Sequence, residues 1–320
     1  MIVSASRRTD LPAFYTPWLY RRLCEGYALT RGPYRPHRLS RVPLSASVLD
    51  GVVFWSKNPA PLLEGPGRDA LALLKSWGVP FYVQFTITPY GPELEPGLPG
   101  KGELLRLFRR MAAAWGPGRV VWRYDPVIVS GAYTAAYHRE RFAQMAAELA
   151  GAADECVFSF LDLYPKAKAR SAGLADREVP AAVQRELALS FAETAAKTGL
   201  RLRSCCEALG MLDRAQSGIH PGACVDPQRL ERLGGFSLRV HKDAGQRLGC
   251  GCAESVDIGM YTSCTHGCVY CYATASAKKA AENRAGHDPR SPLLVGWPGP
   301  EDEIVPRAAA SHREGQLRLF

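Results

Sequence analysis

Short apolar runs alternate with amphipathic stretches through the first two thirds of the chain. Six runs are strand candidates, and most of them are continuously hydrophobic, which is typical of parallel strands covered on both faces. They are residues 2–5, 52–55, 81–86, 120–124, 156–160 and 200–204. Helical periodicity fills the intervals, over residues 16–25, 69–77, 103–115, 136–150 and 180–198, and several of these stretches end at a glycine.

The repetition of strand followed by helix predicts an α/β fold with parallel strands and right-handed crossovers. A full or partial (β/α) barrel fits better than an open doubly wound sheet, because no glycine-rich dinucleotide loop follows the first strand. Reacting groups in such barrels lie where the strands end.

The residues that follow the predicted strands are polar. Turns are polar in any protein, but six polar strand ends together predict a lined pocket. In chain order these residues include Arg7, Arg8, Asp10, Ser56, Lys57, Thr86, Arg123, Asp125, Asp162, Cys205, Cys206 and Glu207.

The composition changes near residue 205, so we expect three regions. Residues 1–204 form the barrel core, and residues 205–285 form a cysteine-rich region with a closing strand at 257–261 and a helix from 272 to about 284. Residues 286–320 are polar and interrupted by prolines, which indicates an extended tail.

Composition excludes several classes of protein. With 47% hydrophobic and 22% charged residues among 320, the chain is not predominantly disordered. Ten cysteines are too few for a disulfide scaffold, and no apolar run is long enough for a signal peptide or membrane helix. We therefore expect a cytoplasmic protein without a membrane partner, in which clustered cysteines bind metal or react.

Charge is concentrated early in the chain. The net charge is +9, and residues 1–50 hold eight arginines against three acidic residues. Such an excess attracts phosphates, DNA or an anionic cofactor. A solvated arginine-rich surface is the alternative interpretation.

The sharpest motif is the C-x3-C-x2-C triplet of Cys264, Cys268 and Cys271. Three thiolates on one loop suit three irons of a [4Fe–4S] cluster and leave the fourth iron open. Zinc is the rival, because a fourth ligand is available from Cys250 or Cys252 and structural zinc has four protein ligands.

The triplet, with the aromatic Tyr270 before its last cysteine, resembles the signature of the radical S-adenosylmethionine (radical SAM) superfamily. The resemblance implies that the open iron chelates SAM and that an electron donor reduces the cluster, which yields a 5′-deoxyadenosyl radical. It also implies a partial (β/α) barrel. In that superfamily the triplet normally follows the first strand, whereas here it follows the last predicted strand. A circular permutation would reconcile the two positions.

The whole chain is similar to the family called domain of unknown function 1848. The matching stretches are SASRRTDLPAFY, VFWSKNP, WRYDPVI, GACVD, CGCAESVDIGMYTSCTHGCVYCYA and the QLRLF ending. This resemblance implies no particular reaction.

Four more cysteines predict a second metal site. Cys206, Cys224, Cys250 and Cys252 are the right number for an auxiliary [4Fe–4S] cluster or a structural zinc, and unligated thiols are the third reading. Cys205 could replace Cys206, because neighbours on a strand face opposite ways. The two remaining cysteines, Cys24 and Cys156, are expected in the core.

Charged side chains at the strand ends supply the candidate binding groups. Arg7, Arg8 and Lys57 are placed near an anion, either the SAM carboxylate or a phosphate, with ion pairs to Asp10 or Glu207 as the alternative. The catalytic candidates are Arg123 and Asp125, which share a strand face, and Glu207, which could bind the SAM amino group or act as an acid. Tyr270 is expected to pack on the cluster, on adenine or in the core, and His266 is expected to be exposed to solvent.

The last five residues resemble the pentapeptide that binds the bacterial sliding clamp. Its anchors here are Gln316, Leu317, Leu319 and Phe320. Docking of this segment on its own barrel is the alternative.

Three functions remain open from the sequence. The first is a radical SAM enzyme acting in repair or modification of DNA or a nucleic-acid-derived substrate. The second is the same chemistry on a tRNA, peptide or metabolite. The third is a zinc-stabilised nucleic-acid-binding protein without redox chemistry.

Overall fold

The computed structural model describes residues 1–32, 35–162, 178–207, 217–247 and 249–314. Its main sheet has eight parallel strands in the order β10-β1-β4-β5-β6-β7-β8-β9. Their bounds are β1 Ile2–Ala5, β4 Gly51–Ser56, β5 Phe81–Thr86, β6 Val120–Val127, β7 Glu155–Phe160, β8 Arg201–Ser204, β9 Ile219–Pro221 and β10 Val256–Asp257. The predicted α/β class with parallel strands is confirmed, and all six predicted strands are present.

Strand order follows chain order except at β10, which returns to pair with β1. The register joins Val3 to Val256 and Ser4 to Asp257, so the cysteine-rich region contributes directly to the sheet. In the described residues β9 and β10 form the two edges of the sheet. Hydrogen bonds between these strands therefore do not close a full barrel, which agrees with the partial form of the two barrels that the sequence predicted.

Helices flank the sheet, and the five predicted between its strands end within one residue of the predicted positions, whereas the helices at Leu11–Phe14 and Pro227–Gly234 were not predicted. The bounds are α1 Leu11–Phe14, α2 Thr16–Glu25, α3 Gly65–Ser76, α4 Lys101–Trp115, α5 Ala135–Leu149, α6 Ala181–Thr198, α7 Pro227–Gly234 and α8 Ala277–Ala285, with short 3-10 turns at Ala60–Leu63 and Pro117–Arg119. Gly26 and Gly199 close α2 and α6 in the left-handed conformation, with φ of 77° and 72°, which glycine adopts without a Cβ clash. None of the described helices combines the length and apolar character that a bilayer crossing requires.

Aromatic side chains from β6, α5 and α6 fill the space between sheet and helices. Phe142 stacks on Trp122 and on Phe191, with ring centroids 5.0 and 4.2 Å apart. All three side chains are buried. This packing holds the strand ends of β6 and β7 in place, and both ends contribute to the site described below.

A second sheet of three strands was not predicted. It pairs β2 (Tyr27–Arg31) antiparallel with β3 (Arg38–Pro43), and β11 (Glu303–Pro306) parallel with β3. Arg31 ends β2, and Arg38 and Arg41 lie on β3, so the sequence indicated only a charged surface there. Residues 286–314, expected as extended tail, supply β11 and the buried Ser291, Leu293 and Leu294. The three-region division itself stays a prediction.

Three local expectations were wrong. The closing strand, expected at 257–261, is only Val256–Asp257, and the helix expected from 272 begins at Ala277. The strand ends early because the Gly259 N–H donates to the side chain of Asp257, Oδ1, at 2.9 Å, a turn that takes the backbone out of the sheet. Cys24 is exposed, since α2 turns its Trp18 and Leu19 face to the core, whereas Cys156 is buried as predicted.

Candidate functional site

A cavity of about 510 Å³ opens at the carboxyl ends of the parallel strands. Every strand of the main sheet sends lining residues to it, either from its end or from the loop that follows. The predicted residues that line it are Arg7, Arg8, Asp10, Ser56, Lys57, Thr86, Arg123, Asp125, Asp162, Cys205, Cys206, Cys224, Cys250, Cys252, Cys264, Cys268, Tyr270 and Cys271. The predicted lined pocket is therefore present, and of the named site residues only Glu207 lies outside the lining.

The triplet of Cys264, Cys268 and Cys271 lies in the loop that follows β10, and all three side chains line the cavity. Backbone hydrogen bonds tie this loop to the segment after β5: Val269 N–H donates to Leu94 O at 3.0 Å, and Gly97 N–H to His266 O at 2.9 Å. Burial raises the pKa of Cys264 and brings that of Cys268 to about 12, although Lys57 opposes the second shift. These thiols therefore keep their protons until a cation replaces them.

His266 is buried, contrary to expectation. Its ring Nε2 lies 2.8 Å from Asp10 Oδ2, and the same oxygen accepts the Lys57 backbone N–H at 2.8 Å. Burial would raise the pKa of Asp10, but His266 holds it below its usual value. Because the loop folds inward over the cavity, His266 joins the ends of β1 and β4 to the cysteine loop.

Glu95 is a site residue that the sequence analysis missed. Its Oε1 accepts hydrogen bonds from Lys57 Nζ at 2.7 Å and from Thr88 Oγ1 at 2.7 Å, and Tyr270 OH also donates to it. Lys101 Nζ contacts the other oxygen. Burial would raise the pKa of Glu95, but Lys57 and Lys101 hold it at about 2, so the carboxylate stays ionised. No periodicity distinguishes this residue in its proline-rich loop.

Asp257 is the second missed residue. Its two oxygens accept from Ser4 Oγ at 2.7 Å, Ser6 Oγ at 2.6 Å and the Arg7 N–H at 2.8 Å. It also lies 3.9 Å from Arg8 Nε. A charged residue inside a predicted buried strand was the signal that could have identified it. Through this carboxylate β10 orders the Ser6–Arg8 turn.

The predicted cations have other partners than the carboxylates expected for them. Arg7 lies 3.6 Å from Asp243, donates to Ser255 Oγ at 2.8 Å and covers the Trp55 ring at 5.4 Å. Lys57 pairs with Glu95, and Arg8 approaches Asp257. The expected ion pairs with Asp10 or Glu207 were wrong for these side chains, because Asp10 turns to His266 and Glu207 to a backbone amide.

The second thiol group lines the same cavity. Cys205 Sγ is 3.5 Å from Cys224 Sγ, and Cys252 Sγ accepts the Cys224 N–H at 3.2 Å. Cys250 and Cys206 are also part of the lining. Contact with Cys224 therefore comes from Cys205, the alternative to Cys206 that the sequence left open.

Arg123 and Asp125 form the ion pair that their shared strand face predicts. Arg123 Nη1 also donates to Cys224 Sγ at 2.8 Å, and Ser159 Oγ donates to Asp125. Hydrogen bonds from the thiols of Cys205 and Cys252, helped by the Arg123 charge, lower the pKa of Cys224 well below its usual value. The Arg123 guanidinium thus favours a thiolate at Cys224.

Glu207 lies behind the lining. Its Oε1 accepts the Phe160 N–H at 2.8 Å, and burial raises its pKa to about 7, with a further contribution from Asp162. A carboxyl with that pKa exchanges its proton near neutral pH. Glu207 therefore has the acid–base property expected of it, but its role stays a prediction.

The thiols at the cavity are the donor set available to a metal. Among the described residues no three His, Cys, Asp or Glu side chains converge as the ligands of one ion would. The ligands of a cubane cluster bind different irons, however, and so need not converge on one point. Three thiols on one loop at the cavity fit such a cluster in number and type, and the second thiol group lines the same cavity.

Comparison with known proteins gives one match. The model of the family described as domain of unknown function (DUF1848) matches residues 2–273. No curated protein and no solved structure matches the chain significantly. The clamp-like residues Gln316, Leu317, Leu319 and Phe320 lie outside both the matched stretch and the described residues.

Proposed function

We propose that this chain, which belongs to the DUF1848 family, is a radical SAM enzyme that binds a [4Fe–4S] cluster through Cys264, Cys268 and Cys271. The observation that carries the proposal is that these three thiols line one cavity with the strand-end residues Arg7 and Asp125. Cofactor and substrate would meet at the carboxyl edge of the sheet, where barrel enzymes carry out their chemistry.

When bound, the reduced cluster supplies the electron that splits SAM into methionine and a 5′-deoxyadenosyl radical. Arg7 and Arg8 would bind the SAM carboxylate or a substrate phosphate, because both line the cavity and their nearest carboxylates stand at 3.6 and 3.9 Å, beyond hydrogen-bond distance. Lys57 is neutralised by Glu95 at 2.7 Å, so it positions the cysteine loop through Glu95 and Tyr270.

DNA or a nucleic-acid-derived molecule is the proposed substrate class. The support is the excess of arginine over acidic residues in residues 1–50, of which Arg7 and Arg8 reach the cavity. A tRNA, peptide or metabolite substrate is the alternative. Binding to a sliding clamp through residues 316–320 is a separate proposal, which pull-down with the full chain and with a chain ending at residue 315 tests.

The second thiol group has a competing metal. The Cys205–Cys224 separation of 3.5 Å is near the ~3.8 Å expected for two thiolates on one tetrahedral zinc. A zinc ion there would need two further protein ligands, and no third one converges with this pair among the described residues. The contact keeps a purely zinc-stabilised nucleic-acid-binding protein as the second candidate function.

Anaerobic reconstitution tests the proposal. We expect at least about four irons per chain, and 5′-deoxyadenosine from SAM with dithionite. The iron and zinc contents per chain then distinguish two outcomes for the second thiol group. About eight irons indicate a second cluster, whereas about four irons with zinc indicate one cluster plus a zinc ion. Cys268→Ala should lose iron and SAM cleavage, whereas Cys24→Ala, on the exposed face of α2, should lose neither.

Zinc as the only bound metal, together with no SAM cleavage, would refute the enzyme and leave the binding protein. Equal iron content in the Cys268→Ala and Cys24→Ala variants would refute the assignment of the triplet as cluster ligands.

A further inference from the structure

A second cavity, the arginine cleft, lies between the three-stranded sheet and β10. Its volume is about 640 Å³. Five arginines line it, namely Arg8, Arg31, Arg35, Arg38 and Arg307, and Asp257 is the acidic residue among its described lining. None of the described residues that line the cleft is a cysteine.

Three of these guanidinium groups are available to a ligand. Arg31 is paired with Asp302 at 2.7 Å. Arg35, Arg38 and Arg307 are exposed, and within the described residues their guanidinium groups make no hydrogen bond or ion pair. Exposed cations without partners bind an anion at little desolvation cost, because no internal ion pair has to break first.

Carboxylates at the outer end of the cleft limit its charge. Glu301 and Glu303 share a shallow neighbouring depression with Arg35 and Arg38, but neither carboxylate comes within 4.0 Å of these arginines. Glu301 stands 4.0 Å from His37 Nδ1. At the inner end Asp257 lies 3.9 Å from Arg8 Nε, so the unpaired positive charge of the cleft comes from Arg35, Arg38 and Arg307.

The inner end leads to the catalytic cavity. Arg8 lines both cavities, and its guanidinium covers the ring of Tyr261 at 5.2 Å. Tyr261 and Tyr272 are 45% and 51% exposed. Tyr272 also lines the cavity, and its hydroxyl donates a hydrogen bond to Arg7 O at 2.8 Å. Exposed aromatic rings next to arginines are the usual means of stacking unpaired bases.

We propose that the arginine cleft binds the phosphodiester backbone of a single-stranded nucleic acid and that Tyr261 and Tyr272 stack its bases at the entrance of the cavity. Arginine holds phosphate bidentately, which suits a backbone with regularly spaced anions. In a duplex the bases are already stacked and could not reach the tyrosines. A polyanion without bases would occupy the cleft and leave both rings unused.

This inference rests on the proposed function only for what happens to the nucleotide inside the cavity. Binding itself requires no SAM cleavage. The surface and the radical chemistry can therefore fail independently.

Fluorescence anisotropy with the reconstituted protein tests the inference. The probes are labelled single strands of DNA and of RNA of about 12 nucleotides, the DNA duplex, and unlabelled inorganic polyphosphate as competitor. We expect single strands to bind more tightly than the duplex, and the DNA and RNA arms show which sugar is preferred. Polyphosphate should compete weakly.

Paired variants locate the site. The double variant Arg35→Gln/Arg38→Gln should weaken single-strand binding about tenfold and reduce the slope of log affinity against log salt by about 1.4, for two lost phosphate contacts. Arg106→Gln/Arg110→Gln removes the same charge from the exposed face of α4 and should leave both quantities unchanged. Tyr261→Ala should weaken binding about fivefold or more with an unchanged salt slope.

Equal affinities of the two double variants would overturn the inference, as would duplex or polyphosphate binding as tight as that of the single strand. If the wild-type protein forms 5′-deoxyadenosine normally but does not bind single strands, the arginine-cleft inference is refuted and the radical SAM proposal is not. Normal strand binding without SAM cleavage would refute the radical SAM proposal alone.

Discussion

Glu95→Gln removes a carboxylate that two lysines contact inside the protein. Glu95 is 2% exposed, and Lys57 and Lys101 both donate to it, so the neutral amide leaves two half-buried ammonium groups beside each other without their carboxylate. Glutamine keeps the shape of the side chain. The substitution therefore isolates the charge, and breaking such a buried pair is strongly destabilising.

The pKa gives the magnitude. Lys57 and Lys101 overcome burial and hold the pKa of Glu95 at about 2, against 4.5 in its ordinary state. A difference of about 2.5 units at ~1.4 kcal/mol per unit corresponds to about 3 kcal/mol of folding free energy at pH 7. Because the folded pKa is the lower one, this stability is complete above pH 4.5 and is lost as the pH falls towards 2. For a chain of 320 residues, about 3 kcal/mol lowers Tm by roughly 5 °C.

Calorimetry of the wild-type protein and the Glu95→Gln variant at pH 7 measures the effect. Glu93→Gln is the matched control, because Glu93 stands two residues away on the same loop and is exposed. We expect a Tm change below about 1 °C for the control. The reasoning is refuted if Glu95→Gln is as stable as Glu93→Gln at pH 7, or if the deficit of Glu95→Gln grows as the pH falls below 4.5.

Three further predictions concern burial, packing and the contact between the cysteine-rich region and the sheet. Burial lowers the pKa of His138 to about 4 from 6.5, so the unfolded chain takes up a proton before the folded protein does as the pH falls. We therefore expect the free energy of unfolding of the wild type to fall by about 2 kcal/mol relative to His138→Gln between pH 7 and pH 5, as measured by urea unfolding. Gly259→Ala should destabilise the protein by about 1–3 kcal/mol, because the new Cβ would be 2.2 Å from Ser6 Oγ. Gly100→Ala is the control, because its Cβ would meet nothing within 4 Å and should not destabilise the protein. Equal melting temperatures of the two variants would contradict the close contact between Gly259 and Ser6. Tyr82→Phe removes a hydroxyl that donates to Cys224 O at 2.7 Å and accepts the Asp226 N–H at 2.8 Å. We expect the free energy of unfolding, measured by denaturant titration, to fall by about 1–3 kcal/mol. An unchanged value would mean that this contact does not hold the cysteine-rich region to the sheet.

Strand and helix positions followed from the sequence because they depend on local periodicity. The apolar runs of β1 and β5 were predicted with their observed bounds, and the C-terminal glycines of α2 and α6 end those helices as expected. The gathering of polar strand ends into one cavity also followed, since parallel strands bring their carboxyl ends to the same edge. The cysteine triplet was visible as a local spacing.

The partners of each side chain depended on contacts between distant parts of the chain. Glu95 reaches Lys57 and Tyr270 across separations of 38 and 175 residues, and nothing in its loop sequence indicates them. His266 is buried only because its loop folds back on Asp10, 256 residues away. The β2–β3 sheet escaped prediction for the same reason, since β11 covers an edge that carries the charge pattern of an exposed surface. Local patterns determine the elements, whereas charge pairing and burial are properties of the packed chain and were decided by the tertiary structure.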